Sequence, residues 1–353
     1  MPFGMPTTVK LKEKLKKFSY ADIDEEILYS FVNEYKYPDI EYVLQSLRDI
    51  IKFSKSKGGD YFITHGKNGI FPFEKGTVPF DTFINKVVIA ESQLEEFVYE
   101  NYRWKPSSKD KVQKIFDVVF GFLEKNSDSI TVFTTNYDRI IEEYCRIRDQ
   151  FQCIDGFKRK PPYSEISRWT GNFDLENDKD GPKNVYLYKL HGSLNWKEHV
   201  EHGIVKTIEE AKSIDSNFNK NLVVMPTLSP KEDEESEPFT TIISKFENYM
   251  KTADAGIVIG FSFRDNQLNN TFMKFVKNGK ALIVISPSAM ERTCENLLHV
   301  KVPKDFDKGK VSSLAPDTDN VWCIPDKLDE NNMTNDLNVA LAHIQKICGN
   351  KSS

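Results

Sequence analysis

The chain has 353 residues, 39% of them hydrophobic and 29% charged, which fits a soluble globular protein able to bury a real core. Its formal net charge is −5, with a pI near 5.8, so it offers no general field for phosphate backbones and no direct nucleic-acid binding is expected. No apolar run approaches the roughly 20 residues of a membrane span, and residues 1–17 lack the apolar centre of a secretory signal, so no membrane partner is expected and the compartment read is cytoplasmic.

From about residue 20 to 126 the apolar residues recur at helical spacing, as in Ile40-x-x-Val43-Leu44-x-x-Leu47 and from Leu94 through Phe97, Val98 and Tyr102. This part reads as a large helical subdomain, broken at residues 54–59 and 69–79 by Gly, Lys and Pro. From about 127 to 330 the period changes. Short β-branched runs appear at residues 130–133, 185–188, 222–224, 257–259, 281–285 and 321–324. Several are nearly continuous in apolar character, as for strands covered on both faces. Helical patterns follow at residues 139–148, 239–250 and 266–277, while 157–181 reads as an excursion between strand units. The alternation predicts an α/β protein built on a doubly wound parallel sheet, with a closing helix at about 335–348 and a single domain spanning 1–353. Such sheets bind ligands at the carboxyl ends of their strands.

Three strand ends carry surplus polar chemistry. The first is Thr134-Thr135-Asn136-Tyr137-Asp138, where Asn and Asp are good helix N-caps, yet one cap suffices and the turn holds more polar groups than that. The second is Leu190-His191-Gly192-Ser193-Leu194-Asn195-Trp196. A histidine directly after an apolar strand is more often packed than catalytic, but its ordinary pKa of about 6.5 suits a general base if it faces a cleft. The third is Gly260-Phe261-Ser262-Phe263-Arg264-Asp265, in which Ser262 and Asp265 also fit an S-x-x-D capping box at a helix start. Each is weak alone.

Taken in this order, the three turns resemble the sirtuin signature of T-Q-N-x-D, H-G after a strand, and G-x-S, which lines one NAD pocket. The strings TTNYD, LHGSLNW and GFSFRD are closer still to sirtuin-like proteins of bacterial antiphage defence, and the resemblance covers about residues 128–287. It implies a Rossmann-like fold of the sirtuin type. Two departures stand out. Deacylases of the family carry two pairs of zinc-binding cysteines after the histidine, whereas the five cysteines here (Cys145, Cys153, Cys294, Cys323 and Cys348) form no C-x-x-C pair, so no zinc and no other metal is expected. That shifts the implied activity from deacylation to NAD hydrolysis. The family also opens with a strand and a Gly-rich phosphate turn. Here Gly4-Met5-Pro6 resembles the segment that follows that turn, and the expectation is a start assigned downstream of the native one.

The resemblance implies that NAD is the substrate and that Asn136, Asp138 and His191 are catalytic. Asn136 would hold the nicotinamide amide or position water, Asp138 would accept from the amide or stabilise the cationic ribose, and His191 would act as base. Thr134, Thr135, Gly192, Gly260, Ser262 and Ser286 would contact the rest of the dinucleotide, Ser286 on the adenine side. A homo-oligomer is implied, with a helicase-like ATPase or an Argonaute-like protein as possible partner in antiphage defence. Alternatives left open are an NAD or ADP-ribose sensor without turnover, a protein deacylase, and, as a minority reading, a metal held by His191, His199 and His202 beside Glu198 and Glu201.

Overall fold

The protein is described from a computed structural model, which covers residues 40–56, 70–73, 76–102, 109–126, 129–159, 166–174, 181–207, 218–223, 236–302, 320–324 and 330–349. The expectation about residues 4–6 and the chain start lies outside the described residues. The chain divides into two compact units, one within residues 5–103 and the other holding everything from 104 onward. In the first unit, helix α1 (Ile40–Ser54) packs against α2 (Phe80–Tyr102), burying Val43, Leu44 and Leu47 with Val87, Ala90 and Leu94. The Pro-containing stretch before α2 is an antiparallel hairpin of β1 (Ile70–Phe73) and β2 (Gly76–Pro79).

The second unit begins with α3 (Lys109–Asn126) and then alternates as the apolar runs demand. β3 (Ile130–Thr134) leads into α4 (Ile140–Ile147) and on to β4 (Phe151–Ile154), and both strands pair in parallel with β7 (Lys183–Lys189). Later, α5 (Phe239–Thr252) precedes β11 (Ala255–Ile259), α6 (Asn266–Lys277), β12 (Ala281–Ile285), the short α7 (Ala289–Arg292) with a π-helical turn, and β13 (Val321–Ile324). β11, β12 and β13 form a second parallel sheet in that order. α8 (Glu330–Gly349) closes the unit. All five residues of β12 are completely buried, because the strand is covered on both faces. On one face Leu282 and Val284 join Tyr188, Phe246, Phe272 and Phe275, contributed by β7, α5 and α6. On the other, Ile283 and Ile285 meet Met333, Leu337 and Ala340 of α8.

The protein is thus an α/β, Rossmann-like fold with helical parts. It differs from one continuous sheet in two respects. The parallel strands form two three-stranded sheets, β3-β7-β4 and β11-β12-β13. Between them in sequence lies a five-stranded antiparallel sheet, in the order β10-β8-β9-β6-β5. It comprises β5 (Phe157–Arg159), β6 (Ile166–Trp169), β8 (Gly192–His199), β9 (Gly203–Thr207) and β10 (Phe218–Val223). Leu222 and Val223 of the run at 222–224 therefore end an antiparallel strand, and the excursion at 157–181 supplies β5 and β6. The reason is connection length. Three residues, 200–202, join β8 to β9, which suffices for a hairpin but not for a parallel crossover of a dozen or more residues. Among the described residues, no helix is long and apolar enough to cross a membrane.

Candidate functional site

The turn from β3 into α4 is built by its own polar groups. The Asn136 amide donates to Thr134 Oγ1 at 3.1 Å, and the Ile140 amide donates to Asp138 Oδ1 at 3.0 Å, so Asp138, one residue before the N-cap Arg139, satisfies the first free amide of α4. Lys189, fully buried at the end of β7, donates from Nζ to the Asp138 carbonyl and, at 3.1 Å, to Glu142 Oε1. Burial pushes the Asp138 carboxyl above its ordinary range against the opposing pull of the Lys189 ammonium. Asn136 is exposed, while Tyr137 and Asp138 are buried.

The turn from β7 into β8 is hydrogen-bonded to this first turn. The Leu190 amide donates to the Thr134 carbonyl at 2.8 Å, the Leu194 amide to the Tyr137 carbonyl at 3.1 Å, and Ser193 Oγ to the same carbonyl at 3.3 Å. Gly192 has φ +80°, a left-handed conformation that favours glycine. His191 itself is buried, its ring 6.4 Å from that of Tyr137.

The third turn leaves β11 at Gly260, whose amide donates to the Ile285 carbonyl at 2.9 Å. Gly260 has φ +70°, and Phe263, fully buried, has φ +52°, a left-handed conformation unusual for a side-chain-bearing residue. Two buried or half-buried amides hold this turn. Asn269 Nδ2 donates to the Phe263 carbonyl at 2.7 Å and to the Asn296 carbonyl at 3.1 Å, and Asn296 Nδ2 donates to the Ser262 carbonyl at 2.7 Å. Asp265 caps α6 outright, its Oδ1 accepting from the amides of Gln267 at 2.9 Å and Leu268 at 3.1 Å. Ser262 therefore is not the cap; its hydroxyl accepts from Arg264 Nε at 3.4 Å. The other Asp265 oxygen meets His191 Nε2 at 2.8 Å, joining the second turn to the third. Burial alone would raise the Asp265 carboxyl, but the hydrogen bond and charge of His191, with the two helix amides, outweigh it and hold it below the ordinary carboxylate value.

Of the nine candidates, Thr134, Asn136 and Asp138 share the wall of a cavity of about 30 Å³, water-sized, with Phe116, Ile140 and Glu142. Thr135 lies in the same turn. His191 and Gly192 form the second turn, Gly260 and Ser262 the third, and buried Ser286 follows β12 with its amide on the Ile324 carbonyl. A larger cavity of about 630 Å³ lies on the other flank of α4, bounded by Glu142, Asp155, Asn195 and Lys206 among others, and contains none of the nine. Neither cavity has His191 in its wall. His191 is also far from the other histidines of the metal alternative: β8 separates it from His199, which stacks on His202 with ring centroids 4.4 Å apart. Eight extended residues span roughly 25 Å.

Sequence reasoning missed Lys189, Asn269, Asn296 and the pairing of Asp265 with His191. Lys189 had a visible signal, a cation inside the otherwise apolar Val185–Leu190 run, which only a buried partner makes tolerable. The Asp265 contact spans 74 positions and has no local signature.

Residues 130–301 match the family described as SIR2-like domain. Among solved structures, the chain resembles a Sir2 homologue mutant in complex with ADP-ribose, at 16% identity and TM-score 0.37, over 77% of this chain and 78% of that one. It also resembles a Sir2 homologue in complex with NAD, at 12% identity and TM-score 0.39, over 74% and 76% of the two chains. No curated protein matches. The segment from 130 to 301, which holds all three turns, is a SIR2-like domain.

Proposed function

We propose that this domain binds NAD at the carboxyl ends of β3, β7 and β11 and hydrolyses the bond between nicotinamide and ribose. The observation that carries the proposal is the direct linkage of the three turns: Leu190 to Thr134, Leu194 to Tyr137, and His191 to Asp265. They are distant in sequence and meet at one end of the parallel strands, where a doubly wound fold takes its ligand. Membership of the 130–301 segment in the SIR2-like family supports the same ligand.

Nicotinamide leaves as a neutral base from a pyridinium, so its departure needs no general acid. The ribose carbon gains cationic character, water adds to it, and one proton is released with nicotinamide and ADP-ribose. The site must orient the carboxamide, stabilise that cation and take the proton. Asn136, exposed at the mouth of the first turn, is assigned the carboxamide or the attacking water. Asp138 is assigned the developing positive charge. His191 is assigned the proton. Thr134, Thr135 and Gly192 are assigned to binding the dinucleotide, Gly260 and Ser262 to its ribose–phosphate portion, and Ser286 to the adenine side.

Incubating the purified protein with NAD and separating the products by chromatography tests this. Nicotinamide and ADP-ribose should accumulate together, and His191→Ala should lower the rate by about 10²–10⁴-fold. Calorimetric binding of NAD without nicotinamide release would instead favour a sensor. The proposed setting is antiphage defence through NAD depletion, supported by the likeness of TTNYD, LHGSLNW and GFSFRD to defence proteins. A homo-oligomer acting with a helicase-like ATPase or an Argonaute-like protein is part of that setting. An unchanged NAD pool in infected cells expressing the protein would remove it.

A further inference from the structure

We infer that Asp265 is a positioning residue for His191: by accepting a hydrogen from Nε2 it fixes the imidazole tautomer and leaves Nδ1 as the basic atom. The inference rests on the proposed NAD cleavage and names the device that makes His191 competent for it.

An ionised carboxylate has no hydrogen to give, so across the 2.8 Å contact Nε2 must be the donor and Asp265 Oδ2 the acceptor. In the neutral form, the one able to take a proton, the imidazole carries a single ring hydrogen. With that hydrogen committed to Asp265, Nδ1 holds the free lone pair, and it has no hydrogen-bond partner among the described residues. The contact is shielded from water, the two side chains being 8% and 13% exposed. Asp265 is also not free to turn away. Its Oδ1 is tied to the amides of Gln267 and Leu268 at the start of α6, so the two oxygens divide the work: one anchors the carboxylate to the helix, the other orients the ring. The loop that delivers Asp265 is itself held at two carbonyls by Asn269 and Asn296 and runs through the left-handed Phe263. A base aimed by an outer partner that is in turn fixed by backbone is the arrangement preorganised sites require.

A plain structural tie between two turns is the competing explanation, and Asp265→Asn separates the two. Asparagine caps helices about as well as aspartate, so its oxygen keeps the Gln267 and Leu268 amides. Its NH₂ then faces His191 Nε2 and can only donate. The ring must accept there and carry its hydrogen on Nδ1, which removes the base. Long-range ¹⁵N–¹H correlation spectra of the NAD-free protein report which nitrogen is protonated, with His191→Ala identifying the signal. The wild type should show hydrogen on Nε2 and Asp265→Asn hydrogen on Nδ1. The kcat for nicotinamide release should fall by about 10²–10⁴-fold with KM little changed. Asp265→Ser is the second variant, since serine retains the cap but is too short to reach the ring; it should lose the single tautomer. An unchanged tautomer in Asp265→Asn overturns the inference, as does a switched tautomer with undiminished kcat. The two proposals fail at different readings: absence of nicotinamide release from the wild type sinks NAD cleavage, and the spectrum decides the tautomer in the same protein.

Discussion

At the scale of the residue, two carboxylates of the domain behave in opposite ways. Asp265 is held below its ordinary value in the folded state, so its contribution to stability is present above the unfolded carboxyl pKa of about 4 and is lost as pH falls through the lower folded value. The unfolding midpoint of the wild type should therefore exceed that of Asp265→Ala near neutral pH, and the gap should close in acid. A gap independent of pH contradicts the His191–Asp265 contact. Asp138 has the reverse sign. Burial raises its carboxyl, so its ionisation in the fold is resisted and it weakens the fold as pH climbs past the unfolded value. Asp138→Asn, which keeps an acceptor for the Ile140 amide, should be tolerated better in stability than in turnover, as equilibrium unfolding and nicotinamide release measured side by side will show. These roles were only half legible in the sequence. Thr134–Asp138, His191 and Gly260–Ser262 stood out because each polar group followed an apolar strand. The same letters also spelled helix caps: Asp265 does serve as one, and Asp138 accepts from the first free amide of α4. Capping and ligand chemistry use the same side chains at the same place, so local spacing does not tell them apart.

At the scale of the element, patterns of one period were easily read and partners were not. The apolar runs Ala281–Ile285 and Val321–Ile324 are β12 and β13, and the alternation from Asn266 to Lys277 is α6, because burial on both faces or on one stripe is written directly in residue type. Pairing is a different kind of information. β5, β6 and β10 are short or polar, and their antiparallel register depends on neighbours up to 41 positions away. The split of the parallel strands into two sheets was equally invisible. β12 is fully buried and supplies residues to two hydrophobic clusters. Ile283→Ala, at a fully buried position against Met333 and Leu337, should cost about 2–5 kcal/mol and lower the urea midpoint. Destabilisation below about 1 kcal/mol would mean that α8 does not cover that face. The same substitution should leave KM for NAD nearly unaltered where the protein remains folded, since Ile283 faces α8 and not the turns.

At the scale of the whole molecule, the proposed chemistry belongs to the unit from residue 104 onward, within the SIR2-like segment, and needs nothing from the overall charge of −5. What it needs is that the ends of β3 and β7 deliver an amide, a carboxylate and an imidazole to one nucleotide, beside the glycine and serine that follow β11. The crystal structure of the protein with a non-hydrolysable NAD analogue tests that most directly. The nicotinamide carboxamide should lie beside Asn136 and the nicotinamide ribose within hydrogen-bond reach of His191 Nδ1, with Asp265 still on Nε2. An analogue lodged in the 630 Å³ cavity beyond α4, or seated with His191 turned away from its ribose, would contradict it.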